Sequence, residues 1–395
     1  MKILHVDETF HPAYGYQVNP LAKFQRRAGH DVTILTVDAG HLHPVYAEFG
    51  DHGEHLTEDD ARYERETGVK IVRVKTRGYL MHRAVYSGAA LWRAIREIDP
   101  DVIFVHCVET ITGMRFLLFE RRYPMLFDSH MLSMASGNRF HRAYEAVWRR
   151  TLARVIKRHG FRVVRTQDDP YVNEKLGIDP ALTPFVSFGT DTLLFRPDAD
   201  ARRAFRQEHG ISDGEFVVVY TGKLTEAKGG MLLAEVFEEK FDPPVTLICV
   251  GDPPENDYGR AVRQKLEDSE NRVLMFPTQK YTDLAAFYQA GDLSVFPRQC
   301  SMSFYDAQAC ALPVLSEDNS VNVERCAHEN GLNFRAGNAA DFRRQIKAFF
   351  DLPDGERARM GQNARAFVEA DYDYTDIART YSDCLAETIE HHKHK

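Results

Sequence analysis

Tyr220–Gly230 reads YTGKLTEAKGG, with an apolar run, Phe216–Tyr220 (FVVVY), entering it and a helical stretch, Met231–Lys240, leaving it. A buried strand that hands over to a helix through a glycine-bearing loop is the unit from which parallel sheets are built. Lys223 and Lys228 stand five apart on that loop. Two cations beside a helix start supply point charges and free amide donors, which suits a diphosphate. A solvated basic loop is the plainer reading of the same spacing.

Working outward, the pattern recurs. Val245–Val250 (VTLICV), Val273–Phe276 and Leu293–Phe296 read as strands, with Gly259–Glu267 and Leu284–Ala290 as helices between them. The first half follows the same scheme. Lys2–Val6, Asp31–Val37, Val69–Val74, Asp101–His106, Met125–Phe127, Phe161–Arg165 and Pro184–Phe188 read as strands. Pro20–Arg27, Ala84–Glu97 and Arg139–His159 read as helices. Residues 40–66 are polar and read as a long surface loop. Alternation repeated twice predicts two parallel sheets with helices on both faces. Proline and aspartate in Phe195–Ala201 (FRPDADA) break the periodicity. The predicted division is therefore 1–196, 197–372, and a C-terminal helix and tail, 373–395, that folds back on the first domain. In open parallel sheets ligands bind beyond the carboxyl ends of the strands.

Length and composition agree with this. The chain has 395 residues, more than one ordinary core accommodates. Hydrophobic residues make up 44% and charged residues 27%, an ordinary soluble balance, and the net charge of -8 gives no pull toward nucleic acid. Six scattered cysteines (Cys107, Cys249, Cys300, Cys310, Cys326, Cys384) fit neither a disulfide framework nor a zinc site. Histidines 41, 43, 52 and 55 lie in an acidic stretch without ordered ligand spacing. MKILHVDETF is too short an apolar run for a signal peptide, and no window spans a membrane. The expectation is a cytoplasmic protein. Arg139–His159 carries seven Lys/Arg and one Glu beside an apolar stripe. It reads as a core-facing helix with a basic outer face, or alternatively as a contact with the inner membrane surface.

A second segment, Val295–Asp318, reads VFPRQCSMSFYDAQACALPVLSED. Phe296-Pro297 ends a strand, Asp306 opens a helix of small residues, and Leu312-Pro313-Val314 starts the next strand. An acid there accepts hydrogen bonds from a ribose diol, or simply offsets the helix dipole.

Together these segments resemble the family-4 retaining glycosyltransferases, the glycosyl transferases group 1, over nearly the whole chain. MKILHV, then Tyr14-Gly15-Tyr16, then RRAGHDVTILT match the family's opening. Ser187–Pro197 (SFGTDTLLFRP), Gly222–Gly229 (GKLTEAKG), VGDPP from Val250 and DAQACALPV from Asp306 match later motifs in order. The resemblance implies a GT-B fold, two Rossmann-like domains with parallel sheets facing across a central cleft. It implies a metal-independent hexosyltransferase using a nucleotide-diphosphate sugar as co-substrate and no other cofactor, with retention of configuration. Uridine is the favoured base and guanosine the alternative. The acceptor is a glycan, a lipid-linked molecule or a small molecule.

Carried over residue by residue, Lys223 and Lys228 hold the donor diphosphate, beside Gly222. Asp306 binds the ribose, and Gly15 lets the backbone approach the phosphates. His130 stands near the reacting sugar carbon. Where the family carries a glutamate that contacts the hexose, this chain has Arg298, which cannot accept hydrogen bonds. Gln299 is the substitute if the loop is re-registered. Cys300-Ser301-Met302 replaces a glycine-rich stretch, so Ser301 and Met302 offer backbone amides to the distal phosphate. The missing glutamate also motivates a reading as a non-catalytic partner subunit. An epimerase or a phosphorylase of the same fold completes the alternatives.

Overall fold

The computed structural model describes all residues except 50, 133–140, 299–301 and 395. The chain divides into two units, Met1–Phe188 with Tyr374–Lys395, and Gly189–Asp373.

The first unit is built on six parallel strands: β1 (Lys2–Val6), β2 (Asp31–Val37), β3 (Lys70–Val74), β6 (Val102–Val105), β7 (Met125–Ser129) and β8 (Arg162–Arg165). Their order in the sheet is β3-β2-β1-β6-β7-β8. Between β3 and β6 the chain makes a small antiparallel hairpin, β4 (Thr76–Leu80) and β5 (Arg83–Tyr86). The central strands are apolar on both faces because helices cover both, so Ile3, Leu4, Ile103, Phe104, Leu126 and Phe127 are fully buried. The helix Tyr374–Lys393 completes this unit by packing on the helix Val18–Arg27. Gln17 Nε2 donates to Tyr381 Oη at 2.7 Å, and that hydroxyl donates to the Val186 carbonyl at 3.1 Å.

The second unit repeats the plan with β9 (Phe216–Thr221), β10 (Val245–Val250), β11 (Arg272–Phe276), β12 (Leu293–Phe296), β13 (Val314–Glu317) and β14 (Gly331–Phe334). Their order is β11-β10-β9-β12-β13-β14, again all parallel. The helix Ala339–Phe350 lays Phe342, Ile346 and Phe349 into the core at helical spacing. Five of the cysteines are free thiols; Cys300 lies outside the described residues.

Several expectations are corrected. The boundary falls after Phe188 rather than after residue 196. Gly189–Phe195 is fixed to the second unit, where Arg365 donates to the carbonyls of Phe195, Ala309 and Thr192 at 2.7, 2.6 and 3.2 Å. The stretch 84–97 is not one helix. Ala84 and Tyr86 lie buried in β5, and the helix begins at Gly88. Residues 40–66 are not a plain loop, since Leu56–Thr67 is a helix that buries Leu56, Asp59 and Tyr63 on one side.

The long basic helix is two, His141–Arg150 and Leu152–His159, broken where Thr151 donates its hydroxyl to the Val147 carbonyl at 2.6 Å. Trp148, Leu152 and Ile156 face the core while Arg142, Arg149, Arg150, Arg154, Lys157 and Arg158 are exposed. Arg139 and Phe140 lie outside the described residues. Pro184–Phe188 forms a single bridge, Arg165 to Phe185, in place of a strand. No helix among the described residues is long and apolar enough to cross a membrane.

Gly251, just past β10, has φ 128°, and a Cβ there would come within 2.1 Å of the Gly222 carbonyl oxygen. Both the conformation and the close backbone approach demand glycine. Gly251→Ala is expected to destabilise the second unit by about 2–4 kcal/mol, read as a lower denaturant midpoint, because a backbone oxygen cannot step aside as a side chain can.

Candidate functional site

In each sheet the crossovers run one way on one side of a strand pair and the other way on the other side. The reversal lies between β1 and β6, and between β9 and β12. Loops leaving those strands diverge and leave an opening at their carboxyl ends, where ligands of such sheets bind. The residues that follow these four strands are the candidates.

In the second unit β9 runs into Gly222 and Lys223, and β12 into Pro297 and Arg298. Gly222 donates its N–H to the Val250 carbonyl at 2.9 Å. Tyr220 Oη donates to the Lys223 carbonyl at 2.7 Å, so a buried ring fixes the loop at its start. Lys228 sits in the 3-10 turn Glu226–Lys228, which ends at Gly229 in the left-handed region, φ 77°. A Cβ on Gly229 would lie 2.8 Å from Pro297 and 3.1 Å from Arg298, so the β9 and β12 loops touch there. Arg298 Nη1 donates to the Glu226 carbonyl at 3.0 Å. The fold thus gathers Lys223, Lys228 and Arg298 at one opening. Glu317, at the end of β13, is pushed up by burial, and the nearby Arg298 charge opposes that.

Met302 precedes the helix Ser303–Ala309, and its carbonyl accepts from the Tyr305 and Asp306 amides at 2.9 and 3.3 Å. Gln299 and Ser301 lie outside the described residues. Asp306 does not open this helix, which starts at Ser303; it is the fourth residue, in the first turn, and only 1% exposed. Its Oδ1 accepts from Thr190 Oγ1 at 2.5 Å and from Tyr281 Oη at 3.3 Å. Among the described residues both of these bonds go to Oδ1. Burial pushes this carboxyl up to about 7, against those two hydrogen bonds.

In the first unit Gly15 is half-buried in the loop between β1 and the helix Val18–Arg27. Its neighbours Tyr14 and Tyr16 pack on Tyr46, with ring centroids 5.1 and 6.0 Å away. His130 follows β7, 27% exposed, with its ring stacked on Phe188 at 5.2 Å. Its Nε2 lies 3.2 Å from Asp128 Oδ2. Burial lowers the affinity of this ring for a proton, but the Asp128 carboxylate and the Cys107 thiol raise it further, so its pKa lies well above the ordinary histidine value.

Two groups escaped the sequence reading. Glu8, beyond β1, is buried and pushed up to about 7 by burial and Asp7, against Arg83. His106, beyond β6, donates through Nδ1 to Asp128 Oδ2 at 2.8 Å. The available signal was an ionisable residue at the carboxyl end of an otherwise apolar strand, present in both MKILHVDE and DVIFVH.

His106, Asp128 and His130 bring three donor atoms within 4.8 Å of one another, which raises the question of a metal. The two rings point their nitrogens at the carboxylate oxygen itself. The 2.8 Å separation is shorter than the roughly 3.3 Å between ligands of a tetrahedral zinc with bonds of about 2.0–2.1 Å. As placed, the set is hydrogen-bonded and too close for a tetrahedral zinc. Asp-x-Asp spacing, a mark of metal-dependent transferases, occurs at Asp99–Asp101, Asp198–Asp200 and Asp371–Asp373. Asp101 accepts from the Lys2 N–H, Asp198 caps the helix Ala199–Glu208, and Asp373 accepts from the Thr192 hydroxyl, so each pair has a member in a structural bond.

Two family models match, the glycosyl transferase 4-like domain over residues 13–166 and glycosyl transferases group 1 over residues 201–367. The chain belongs to the group 1 glycosyltransferases. Curated relatives of this group 1 chain include the D-inositol 3-phosphate glycosyltransferase of Segniliparus rotundus, 34% identical over 160 residues, 37% of this chain and 34% of that protein. The enzyme of that name from Mycobacterium tuberculosis (strain ATCC 25177 / H37Ra) is 33% identical over 165 residues, 39% of this chain and 33% of its own length. The aligned part therefore spans about a third of the curated relatives.

Among solved structures, Anabaena HepE in complex with UDP and glucose superposes with a TM-score of 0.74 at 19% identity, covering 98% of this chain and 100% of that one. A glycosyltransferase from Rickettsia africae superposes with a TM-score of 0.74 at 13% identity, covering 98% of each chain. These structural neighbours place the group 1 chain in the GT-B fold.

The buried Asp306 gives a pH test. Its folded pKa lies above its unfolded one, so the native state holds the proton more tightly and stability falls as pH rises from about 4 through 7. Asp306→Asn carries no such proton. The stability of wild type relative to this variant is expected to drop by up to about 1.4 kcal/mol per pH unit across that window, measured by denaturation at pH 5, 6 and 7.

Proposed function

We propose that the protein transfers a hexose-type sugar from a nucleotide-diphosphate donor to a saccharide, lipid-linked or small-molecule acceptor. The single observation that carries this is the cluster of Lys223, Lys228 and Arg298 where the β9 and β12 loops meet, in a chain matched by a glycosyl transferase 4-like model in its first unit and a group 1 model in its second. Uridine diphosphate is the favoured leaving group, and guanosine diphosphate the alternative. HepE, of the same fold, has been seen with UDP and with UDP-glucose.

As the glycosidic bond breaks, negative charge grows on the distal phosphate. Cations held in place before the reaction stabilise that charge more than they stabilise the ground state. Lys223 and Lys228 take this role, so the proposed reaction uses neither a metal nor another cofactor. Arg298 adds a third charge in the place of a hydrogen-bond acceptor, so the hexose is gripped differently from one held by a carboxylate. Asp306 takes the ribose. Retention follows from a front-face attack in which the leaving phosphate oxygen accepts the acceptor's proton. The paired-carboxylate scheme of glycoside hydrolysis has no counterpart in this reading. His130 orients the sugar. The curated relatives are named for an inositol phosphate acceptor, which makes a phosphorylated polyol one small molecule to assay.

Thermal melts with UDP, GDP, ADP, TDP and CMP test the donor site. A diphosphate at 100 times its dissociation constant stabilises the native state by about 2.7 kcal/mol. One diphosphate is expected to raise the wild-type melting temperature and to leave Lys228→Ala unmoved. No shift with any of them would overturn the donor assignment and favour a partner subunit that has lost turnover.

A further inference from the structure

Behind His130 runs a line of buried polar side chains drawn from four separate elements of the first unit. Gln25 Oε1 lies 2.7 Å from His5 Nε2, and His5 Nδ1 lies 2.9 Å from His106 Nε2. His106 Nδ1 lies 2.8 Å from Asp128 Oδ2, and that oxygen lies 3.2 Å from His130 Nε2. The other oxygen, Oδ1, accepts from the Cys107 backbone N–H at 2.6 Å. His5, Gln25 and Asp128 are fully buried, and His106 is 5% exposed. His5 and His106 stack at 5.2 Å, with Phe104 beside both.

Burying this much polarity is costly unless every group is used. Asp128 can only accept, so His106 Nδ1 must carry a proton. If the Gln25 oxygen faces His5, then His5 donates to it, His106 donates to His5, and His106 becomes a buried cation. If the Gln25 amide is turned so that its nitrogen faces His5, both histidines are neutral. Every N–H in the line then points toward Asp128. Turning the amide exchanges its two atoms, so in each form one of them faces His5 and the other occupies the buried place without a partner. In both forms the carboxylate receives an N–H from His106 on the side away from His130.

We propose that His106, backed by His5 and Gln25, is a positioning residue for His130, acting through Asp128 to fix the orientation and the proton inventory of that ring. This rests on the reading of His130 as the group that meets the transferred sugar. Electrostatics run the same way. Burial and His106 push His5 down to about 3, so it stays neutral. Burial works against ionised Asp128, but His130 and His106 hold it well below the usual carboxylate range. The described charged or titratable groups facing His130 are Asp128 on its own strand, and Cys107 and Glu109 beyond β6. Tyr381, from the C-terminal helix, faces Asp128. Glu109 is itself pushed up by burial, which leaves Asp128 as the anion that holds the His130 proton. An imidazolium at this point donates an N–H to Asp128 and also engages the Cys107 side chain.

The test uses the full chain with its histidines carbon-13 labelled, and the His130 resonance is assigned by its loss in His130→Ala. In His106→Leu the line is cut, Asp128 becomes the stronger base, and His130 is expected to titrate at least about one pH unit higher. UDP release from UDP-glucose should then fall about tenfold or more as the ring loses its fixed orientation, with its alkaline limb moved to higher pH. In His106→Asn the amide N–H stands close to the place of Nδ1–H, and both readouts are expected to return to within about threefold, or a few tenths of a pH unit, of wild type. His5→Phe cuts the line one residue further back and replaces His106→Leu if that variant does not fold. Unchanged His130 titration in either folded variant would overturn the proposal. A shifted titration with no UDP release even from wild type would instead count against the donor reading and leave the positioning role standing.

Discussion

A parallel sheet forces every strand to end on the same edge, and every connection to cross back over a face. Where the direction of crossover reverses, two loops part and the strand ends lie uncovered. Both units carry that reversal between their first and fourth sheet strands in the order 3-2-1-4-5-6. The chemistry follows from it. Lys223 and Arg298 leave the two strands that flank the reversal in one sheet, and Glu8 and His106 do so in the other. Nothing about the individual residues would bring Arg298 against the Lys228 turn; the topology does it, and Gly229 lets the two loops touch.

The two openings are furnished differently. The second unit offers cations on the loops that follow β9 and β12. The first offers a fixed, fully buried carboxylate whose two oxygens are taken by a backbone amide and two imidazoles. A loop lysine can follow a phosphate as charge develops. A buried network cannot move without leaving a polar group unpaired, so it suits a group whose geometry must not change between one turnover and the next.

Much of this was legible in the residues. Apolar runs that end in glycine or acid marked the central strands, and the spacing of Lys223, Lys228 and Asp306 survived into one unit. The failures have physical causes. Val85 and Tyr86 carry a helical-looking pattern into Ala84–Glu97, yet pairing with β4 wins because Ala84 and Tyr86 find the core from a strand. At Thr151 the backbone leaves helical angles, φ -121° and ψ -76°, a break that no apolar periodicity reveals. Asp306 lies in the first turn of its helix, but its partners Thr190 and Tyr281 come from distant stretches that the local pattern does not reveal. The line from Gln25 to His130 was illegible for the same reason. His5 and His106 look like interruptions of apolar strands until the sheet sets β1 beside β6.

The return of the final helix to the first unit carries a consequence for how the chain is made. Gln17 waits for Tyr381, a partner 364 residues further on. On the ribosome, the second unit has all of its strands and helices in hand before the first has its last one. The first unit is therefore completed only after the second has been made, and until then the helix Val18–Arg27 keeps an uncovered apolar side. A nascent chain carries that exposed side for at least as long as Gly189–Asp373 takes to be synthesised.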